Sequence, residues 1–521
     1  MAFASGALTL CLSSFRLPNS LKIFYFIFPN KRTFRGKKME GMGSEKERQR
    51  NQQMERKRHR FCPMAESSSN GSSSSPVTRI PLDHLFSILL LLPIESILSF
   101  SMTCRKLRSL ADSDSLWESV CRRDWGSAPV EALKPSNGLP WKKLYQQVYE
   151  LDSVLCHRLL AEGGEGAPTP RASHSLNLVS GCLVLFGGGC TGGRHLDDTW
   201  AAYTGNDLRR SSLKWQKMKS GIPSGRFGHS CVVVDDLLIL FGGINDQGVR
   251  QTDTWIGQMT VDSRHGITMS WRLLDVGLVS PPPRGAHAAC CIGFQSMLVH
   301  GGIGLSGRRL DDAWILRLSE DLCCGTWTEI VAAPAQPCPS SRSGHTLTHI
   351  GGRQTILFGG RGNGFEVLND VWLFDASDEH RERWTQLVFE TRNVPQGLSL
   401  PRVGHSASLI IGRRLLIYGG EDSYRHRKDD FWVLDISSMP CVRMQRPTIL
   451  KQNRVFRRMW KRVESKGDKP QSRSFHGACV DASGRFLFIH GGMVDGLIQP
   501  ADSSGLGFDG ESFVVDLLLQ P

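Results

Sequence analysis

The apolar residues between positions 80 and 111 recur with the spacing of helices. The first stripe follows the i, i+3, i+4, i+7 pattern of an amphipathic helix and consists of Leu85, Ile88, Leu89 and Leu92. Pro93 ends this helix and can open the next, because the first turn of a helix does not use the N–H that proline lacks. The same spacing predicts three further helices, at 94–98, 104–111 and 141–150.

The first three of these helices form a module too small to be stable alone. A chain this short buries little apolar surface for each residue that it orders. The stretch 82–92 nevertheless carries more apolar side chains than one small core can use. We therefore predict that this module presents half of an interface to another protein.

A repeat extends from residue 171 to residue 517. Arg-x-x-His occurs six times, and each copy precedes a β-rich run that ends in Gly-Gly. In five copies a tryptophan lies 13 residues after the first glycine, with an aspartate one to three residues before it. The arginines are Arg171, Arg226, Arg284, Arg342, Arg402 and Arg473, the glycine pairs begin at 187, 242, 301, 359, 419 and 491, and the tryptophans are Trp200, Trp255, Trp314, Trp372 and Trp432.

Four short strands per repeat at this period predict a six-bladed β-propeller. The glycine pairs let the chain leave the second strand where a Cβ would clash, and the tryptophans fill the space between blades. We expect each aspartate before a tryptophan to bond loop amides. The sixth repeat lacks a fourth strand, and 154–160 is predicted to supply it and close the ring. The predicted fold class is mostly β, a propeller preceded by a small all-α module.

Charge separates a tail from these two domains. Residues 1–63 hold 14 Lys and Arg and 4 Asp and Glu, which accounts for most of the net charge of +13. We interpret 1–76 as a basic, Ser-rich tail. Its residues 1–63 are either disordered or precede a translation start at Met64, with organelle targeting as the alternative. The remaining predicted domains are the helical module at 77–125, a helical linker at 126–153 and the propeller at 154–517.

The sequence contains no pattern typical of a metal site or a catalytic site. The 15 cysteines include no paired CxxC motifs, and no signal peptide is clear, so we expect reduced thiols and a location in the cytoplasm or nucleus. The apolar run at 21–28 is too short to span a membrane. We interpret the six repeated histidines as blade supports. We expect no cofactor, no metal and no catalytic residue, and we do not expect nucleic acid as a partner.

The helical module resembles an F-box, and the repeats resemble kelch repeats. The F-box resemblance continues through Cys104-Arg105, Leu107 and Leu116-Trp117, although many F-boxes have Trp where this chain has Leu107. The order of the two domains resembles plant F-box/kelch proteins, including the F-box and kelch portions of the LOV-containing clock regulators, without a LOV domain. The resemblance implies contact with a Skp-type adaptor, and through it a cullin, by Pro81, Leu82, Leu85, Ile88, Leu89, Pro93 and Leu98.

The same resemblance implies a non-catalytic substrate receptor of a Skp–cullin–F-box ubiquitin ligase. Its kelch ring would then bind the client protein. Two alternatives remain open: a kelch scaffold that acts outside a ligase, and a kelch-fold enzyme. A copper radical oxidase of this fold would need a Tyr, Cys and His set, and none stands out among the repeats.

The loops between each glycine pair and its tryptophan are the predicted client surface. We expect an acidic or phosphorylated client, because the planar fork of arginine binds carboxylates and phosphates with two hydrogen bonds. The proposed contacts are Arg194, Arg250, Arg308, Arg361, Phe365, Tyr424 and Arg425. In the alternative interpretation, Arg194, Arg308 and Arg309 pair with aspartates two to three residues further on and only stabilise the loops.

Overall fold

A computed structural model describes residues 80–133, 138–162, 166–205, 212–218, 222–262, 266–293, 295–331, 336–376, 383–389, 400–436, 455–456, 460–495 and 506–518. The tail predicted at 1–76 lies outside these residues. The chain divides into two compact units between Leu116 and Trp117. None of the helices within the described ranges is long and apolar enough to cross a membrane.

The first unit contains three short helices and the start of a fourth. They are α1 (Leu82–Leu91), α2 (Ile94–Ser101), α3 (Arg105–Ala111) and α4 (Asp114–Trp125). Pro93 lies between α1 and α2, as predicted. The side chains buried in this unit are Leu85, Leu89, Ile97, Leu98, Leu107, Ala111 and Leu116. Each helix therefore contributes one apolar side to a small shared core.

The second unit contains the rest of α4, two further helices and the strands. The helices are α5 (Ser127–Leu133) and α6 (Trp141–Glu150). The first strands in chain order are β1 (Ser153–Ala161), β2 (Ser175–Val179), β3 (Cys182–Phe186), β4 (Thr199–Tyr203), β5 (Ser212–Leu213), β6 (Trp215–Lys217), β7 (Arg226–Phe227), β8 (Ser230–Val234), β9 (Leu237–Phe241), β10 (Ile244–Asn245), β11 (Thr254–Asp262), β12 (Gly266–Leu273), β13 (Ala288–Cys291), β14 (Ser296–His300), β15 (Ala313–Leu318) and β16 (Gly325–Glu329).

The remaining strands continue the same succession of blades. They are β17 (Arg342–Ser343), β18 (Thr346–Gly351), β19 (Gln354–Phe358), β20 (Arg361–Gly362), β21 (Val371–Asp375), β22 (Arg383–Phe389), β23 (Val403–Ile410), β24 (Arg414–Glu421), β25 (Phe431–Asp435), β26 (Val455–Phe456), β27 (Trp460–Gly467), β28 (Arg473–Ser474), β29 (Gly477–Val480), β30 (Phe486–Asp495) and β31 (Leu506–Asp516).

Four antiparallel strands form each blade. The blades, from one to six, are β2-β3-β4-β6, β8-β9-β11-β12, β13-β14-β15-β16, β18-β19-β21-β22, β23-β24-β25-β27 and β29-β30-β31-β1. Blades one to four are separate sheets, whereas β1 also pairs with β27 in parallel and joins blades five and six into one sheet. The first strand of each blade lies beside that of the next, and β29 lies beside β2. The predicted six-bladed ring is therefore confirmed.

Apolar cores between neighbouring blades hold the ring together. Between blades two and three, Trp314 and Trp327 pack with Ile239 and Phe241 of the preceding blade. Equivalent clusters occupy the other five interfaces, including the one where blade six meets blade one. The tryptophans thus fill the space between blades, as predicted.

The strand β1 closes the ring. Its residues 155–159 pair antiparallel with 512–516 of β31, as the sequence predicted for 154–160. Val154 and Cys156 are fully buried in the core between blades five and six. The fourth strand of the last blade thus comes from the N-terminal side of the ring, and both edges that it covers are removed from solvent.

Helix α6 is fixed to blade five at its C-terminal end. The guanidinium of Arg414 donates to the carbonyls of Val148, at 2.5 Å, and Tyr149, at 2.7 Å, and lies over the Tyr149 ring. Lys461 donates to the carbonyl of Glu150. Two cations therefore occupy the end of α6 where unpaired carbonyls concentrate negative charge.

Candidate functional site

The repeated arginines form buried ion pairs. Arg171 donates to both carboxylate oxygens of Asp198, at 2.6 and 3.0 Å, and to the carbonyl of Gly187. Asp198 also accepts from the indole N–H of Trp200 at 2.8 Å. The equivalent pairs are Arg226–Asp253, Arg284–Asp312, Arg342–Asp370 and Arg402–Asp430. The spacing of the repeat predicts loop amides as the partners of these aspartates; in the structure each aspartate also bonds the repeated arginine and the indole of the tryptophan that follows it.

Blade six keeps this ion pair without the tryptophan. Arg473 lies 2.7 Å from the carboxylate of Asp509, and its guanidinium lies over the ring of Phe513. Asp509 follows no spacing shared with the other five aspartates. The sequence pattern therefore gave no signal for this partner, although all six arginines are buried.

The arginines favour the ionised form of four of these aspartates. Burial alone raises the pKa of the Asp198 carboxyl, but the hydrogen bonds and the charge of Arg171 hold it below its usual range. The same balance lowers the pKa of Asp312, Asp370 and Asp430. Both charges of each pair are consumed inside a blade, so we assign these residues to the fold and not to client binding.

The repeated histidines bond the preceding blade. His229 Nε2 lies 3.2 Å from the hydroxyl of Ser175, which directly follows the repeated histidine of blade one. The same contact recurs as His287 with Ser230, His405 with Thr346 and His476 with Ser406. These bonds agree with the interpretation of the histidines as blade supports.

Two interfaces lack the hydroxyl and carry a second histidine instead. Ala288 stands where the serine would be in blade three, and His345 bonds His300 Nδ1 at 3.1 Å. Gly477 stands there in blade six, and His174 packs edge-on against His490. Sequence reasoning missed this replacement, although His300 and His490 both occupy the position before a glycine pair.

The loops between the second and third strands of the blades contain the predicted client contacts. We call them the rim loops; they span 188–198, 243–253, 302–312, 360–370 and 420–430. Side chains join neighbouring rim loops to one another and to blade six. The contacts are Asp246 with the His195 N–H, Asn363 with the Arg309 N–H, Glu421 with Arg361 and Asp495 with Arg427, at 2.6, 2.9, 2.5 and 2.5 Å.

The predicted client arginines fall into two groups. Arg361 is ion-paired with Glu421, so its guanidinium is already used within the ring. Arg194, Arg308 and Arg425 are exposed and form no ion pair with any described residue, while half-buried Arg250 donates only to the Gly248 carbonyl. In the alternative interpretation, Arg194, Arg308 and Arg309 pair with aspartates two to three residues further on. That interpretation is wrong, because none of the three makes such a pair within the described ranges.

The rim loops share a turn with a left-handed residue at one position. Three loops place a glycine there, with φ from 73° to 76°: Gly193, Gly248 and Gly307. The other two loops place Phe365 and Arg425 there, both at φ 64°. A side chain with a Cβ is strained in this region, and an aromatic residue is a rare occupant. Phe365 is nevertheless 71% exposed.

Exposed apolar side chains concentrate on the same rim. The connections between blades lie on the rim that bears the rim loops, because the four strands of a blade alternate in direction. Most of the large exposed apolar residues of the described ring belong to these loops and connections: Ile222, Val249, Leu278, Val279, Leu305, Val331, Phe365 and Tyr424. Tyr203 and Val261 lie at the ends of third strands, on the opposite rim.

The residues predicted to contact the adaptor divide by burial. Leu85, Leu89 and Leu98 are buried within the first unit. Pro81, Leu82, Ile88 and Pro93 are exposed. Two further apolar residues, which sequence reasoning missed, are Leu91, 86% exposed, and Met102, 52% exposed. Helix α1 thus carries a second apolar side, at Ile88 and Leu91, away from its own core.

Comparisons with known proteins match both domains. The F-box domain model matches residues 77–119, and the KLHDC2/KLHL20/DRC7 Kelch-repeats domain model matches residues 228–439. The F-box/kelch-repeat protein At1g51550 of Arabidopsis thaliana is 56% identical over 462 residues, which is 87% of this chain and 94% of that protein.

Two other relatives are less similar. Adagio-like protein 1 of Oryza sativa is 29% identical over 78% of this chain and 60% of its own length, and Adagio protein 3 of Arabidopsis thaliana is 28% identical over 75% and 58%. This chain therefore spans only about three fifths of the Adagio relatives. With both domain models matched in this order, and a relative more than half identical over nearly its full length, the chain belongs to the F-box/kelch-repeat proteins.

Proposed function

We propose that this protein is the substrate receptor of a Skp–cullin–F-box ubiquitin ligase. In this role the F-box binds a Skp-type adaptor, the adaptor binds a cullin, and the kelch ring binds the client. The receptor itself performs no chemistry, and its buried Arg–Asp pairs and repeated histidines stabilise the ring.

One observation carries the proposal: the F-box helix α1 has two apolar sides, and its own unit covers only one. Leu85 and Leu89 are buried, while Ile88 and Leu91, three residues apart, share the exposed side. A helix that is apolar all round is normally buried all round. Leu82 and Met102 extend the exposed apolar surface. Such a surface, in a domain that matches the F-box, favours a permanent protein partner.

The test is adaptor recovery by exposed-side variants. The protein with Ile88→Ser and Leu91→Ser should fold normally, because both side chains are solvent-exposed, but should recover at least tenfold less Skp-type adaptor and cullin than the wild type. Truncating a few central apolar anchors commonly removes most of the binding free energy of an interface.

Matched changes on the ring provide the control. Tyr203→Ser with Val261→Ser removes two exposed apolar side chains from the propeller and should leave adaptor recovery unchanged. If the wild-type protein recovers no adaptor, or the α1 variant recovers as much as the wild type, the ligase assignment is wrong. Leu85 and Leu89 are unsuitable positions, because their substitution would open the core of the unit.

A further inference from the structure

We propose that the contact between the rim loops of blades three and four is an oxyanion site, built from Arg309 and Phe365, that receives a carboxylate or phosphate of the client peptide. This inference deepens the proposed function and rests on it for the identification of the bound peptide as a ligase client. Arg309 is its centre, although the sequence pattern had suggested only a stabilising role for that residue.

Arg309 is held in place from three sides. Its backbone N–H donates to the side-chain oxygen of Asn363 at 2.9 Å, and its carbonyl accepts from the same amide. Its Nε donates to the Ser343 hydroxyl at 3.0 Å. The guanidinium lies 4.8 Å from the centre of the Phe365 ring. An arginine fixed in this way loses little entropy when it binds an anion, so its fork is preorganised.

No carboxylate neutralises this fixed guanidinium. Arg309 forms no ion pair with a described residue, and neighbouring Arg361 is committed to Glu421. Glu366 lies close enough to interact electrostatically with Arg309 but does not bond it. Partial burial and the nearby charge of Arg361 lower the pKa of Arg309. The carboxylate of Glu421 is bonded to Arg361 and that of Glu366 does not bond Arg309, so the guanidinium of Arg309 can bond an anion from outside.

Phe365 supplies an independent indication of function. Its backbone is left-handed, at a turn position that three other rim loops fill with glycine. Residues with a Cβ in this strained backbone region concentrate at ligand sites. Here the strain presents the ring both to Arg309 and to solvent, where it can stack on a bound peptide. The exposed residues Leu305 and Arg308 belong to the same rim loop of blade three as Arg309.

The rest of the rim does not share these features. Apart from the aspartates that pair with the repeated arginines, the rim loops hold nearly equal numbers of acidic and basic residues. The surface as a whole therefore does not attract anions. Arg194 is exposed on the blade-one loop without an aromatic neighbour, and Arg427 is ion-paired with Asp495. The contact between Arg309 and Phe365 is therefore a local site and not part of a general basic surface. Arg462, exposed on β27 outside the rim loops, serves as the control.

The experiment uses the purified full chain and four sets of immobilised nine-residue peptides. The sets share random flanking sequences and differ only at the central residue, which is Glu, phosphoserine, Gln or Lys. Wild-type protein should favour the Glu or phosphoserine set over the Gln set by about tenfold, as expected for a charge-assisted bidentate contact. The better of the two acidic sets identifies the source of the oxyanion. Equal retention by the Glu, phosphoserine and Gln sets would overturn the proposal.

Three variants then test the residues. Arg309→Gln keeps a donor for Ser343 and should abolish the acidic preference. Arg462→Gln, at an exposed arginine of β27 outside the rim loops, should retain it. Phe365→Asn places a residue that tolerates the left-handed region, so its thermal midpoint should not fall, while peptide affinity should drop several-fold. An unchanged acidic preference in Arg309→Gln, or unchanged affinity in Phe365→Asn, would contradict the assignment.

Adaptor recovery, measured in parallel, separates the two proposals. A wild-type protein that favours acidic peptides but recovers no adaptor has the oxyanion site and is not a ligase receptor. A protein that recovers the adaptor but shows no acidic preference is consistent with the ligase role and lacks the site.

Discussion

Every blade buries one arginine with its charge intact. The cost of removing that charge from water is offset by two bonds to one carboxylate and one bond to a carbonyl of the glycine pair, as Arg342 shows with Asp370 and Gly359. The indole of Trp372 fixes the same carboxylate from its other side. The repeated arginine, here Arg342, thus links the start of a blade, the end of its second strand and the start of its third.

Removal of one partner should be far more damaging than loss of the contact alone. Arg342→Ala leaves the Asp370 carboxylate, which is 21% exposed, without its cation, so we expect the free energy of unfolding to fall by about 3 kcal/mol, the lower end of the range for a broken buried pair. Urea unfolding measures it. Arg194→Ala, at an exposed arginine, should change stability by less than about 0.5 kcal/mol. A loss below about 1 kcal/mol for Arg342→Ala would contradict the structural role.

The residue scale also shows why part of the site was not predictable. Spacing revealed that arginine, glycine and tryptophan recur, because each is tied to a fixed place along a strand. It could not reveal that Arg342 and Asp370, 28 residues apart, meet around the glycine pair. It likewise could not separate Arg361, which a neighbouring blade neutralises, from Arg309, which no carboxylate neutralises. Contacts between blades depend on three-dimensional proximity that no periodicity encodes.

At the scale of elements, periodicity predicted more. The helices at 82–91, 94–101 and 141–150 and the closing strand β1 were all predicted from apolar spacing and turn residues. The side of α1 that faces the core was not predictable, because Leu85, Ile88 and Leu89 have similar hydrophobicity. Only the fold distinguishes the buried Leu85 and Leu89 from the exposed Ile88.

The attachment of α6 to blade five depends on Arg414. Arg414→Leu removes two bonds to the last carbonyls of the helix and leaves Asp435, 3.4 Å away, without this partner. We expect backbone amides of 145–150 to exchange at least tenfold faster with solvent, since each lost charge-assisted bond is worth about 1.5–3 kcal/mol. Hydrogen exchange measures this directly.

The amides of blade two should exchange at the wild-type rate in the same Arg414→Leu sample, which provides an internal control. Unchanged exchange at 145–150 would show that apolar packing of Trp141, Leu144 and Val148 alone holds the helix.

At the scale of the whole molecule, buried histidines connect the ring to pH. Burial is the main cause that lowers the pKa of all eight, to about 3 for five of them. The eight histidines are His174, His229, His287, His300, His345, His405, His476 and His490. In the unfolded chain histidine titrates near pH 6.5. At pH values between the folded and the unfolded pKa, the unfolded state therefore binds protons that the folded state does not bind.

Stability should fall with acidity well before the carboxylates titrate. As pH drops from about 6.5 towards 4, each buried histidine lowers the free energy of unfolding by up to about 1.4 kcal/mol per pH unit. The Asp198-type carboxylates act later, because their folded pKa lies below the usual range and their stabilisation is lost only at lower pH. Thermal midpoints measured from pH 7.5 to 4.5 test the order.

His405→Gln can keep a bond to Thr346. It should reduce the number of protons taken up on unfolding by about one, and stability should therefore depend less steeply on pH. A midpoint that stays constant from pH 7 to 5 in the wild type would contradict the burial of neutral histidines.

The closure by β1 also determines how the ring can be assembled during synthesis. β1 is made before every other strand of the ring, and its antiparallel partner β31 is made last, some 345 residues later. At about 5–20 residues per second, β1 waits roughly 20–70 s for that partner. The parallel neighbour β27 emerges sooner, since it ends at Gly467, well before β31 begins at Leu506. The β27 edge of blade five can therefore pair with β1 during synthesis, before β31 is made.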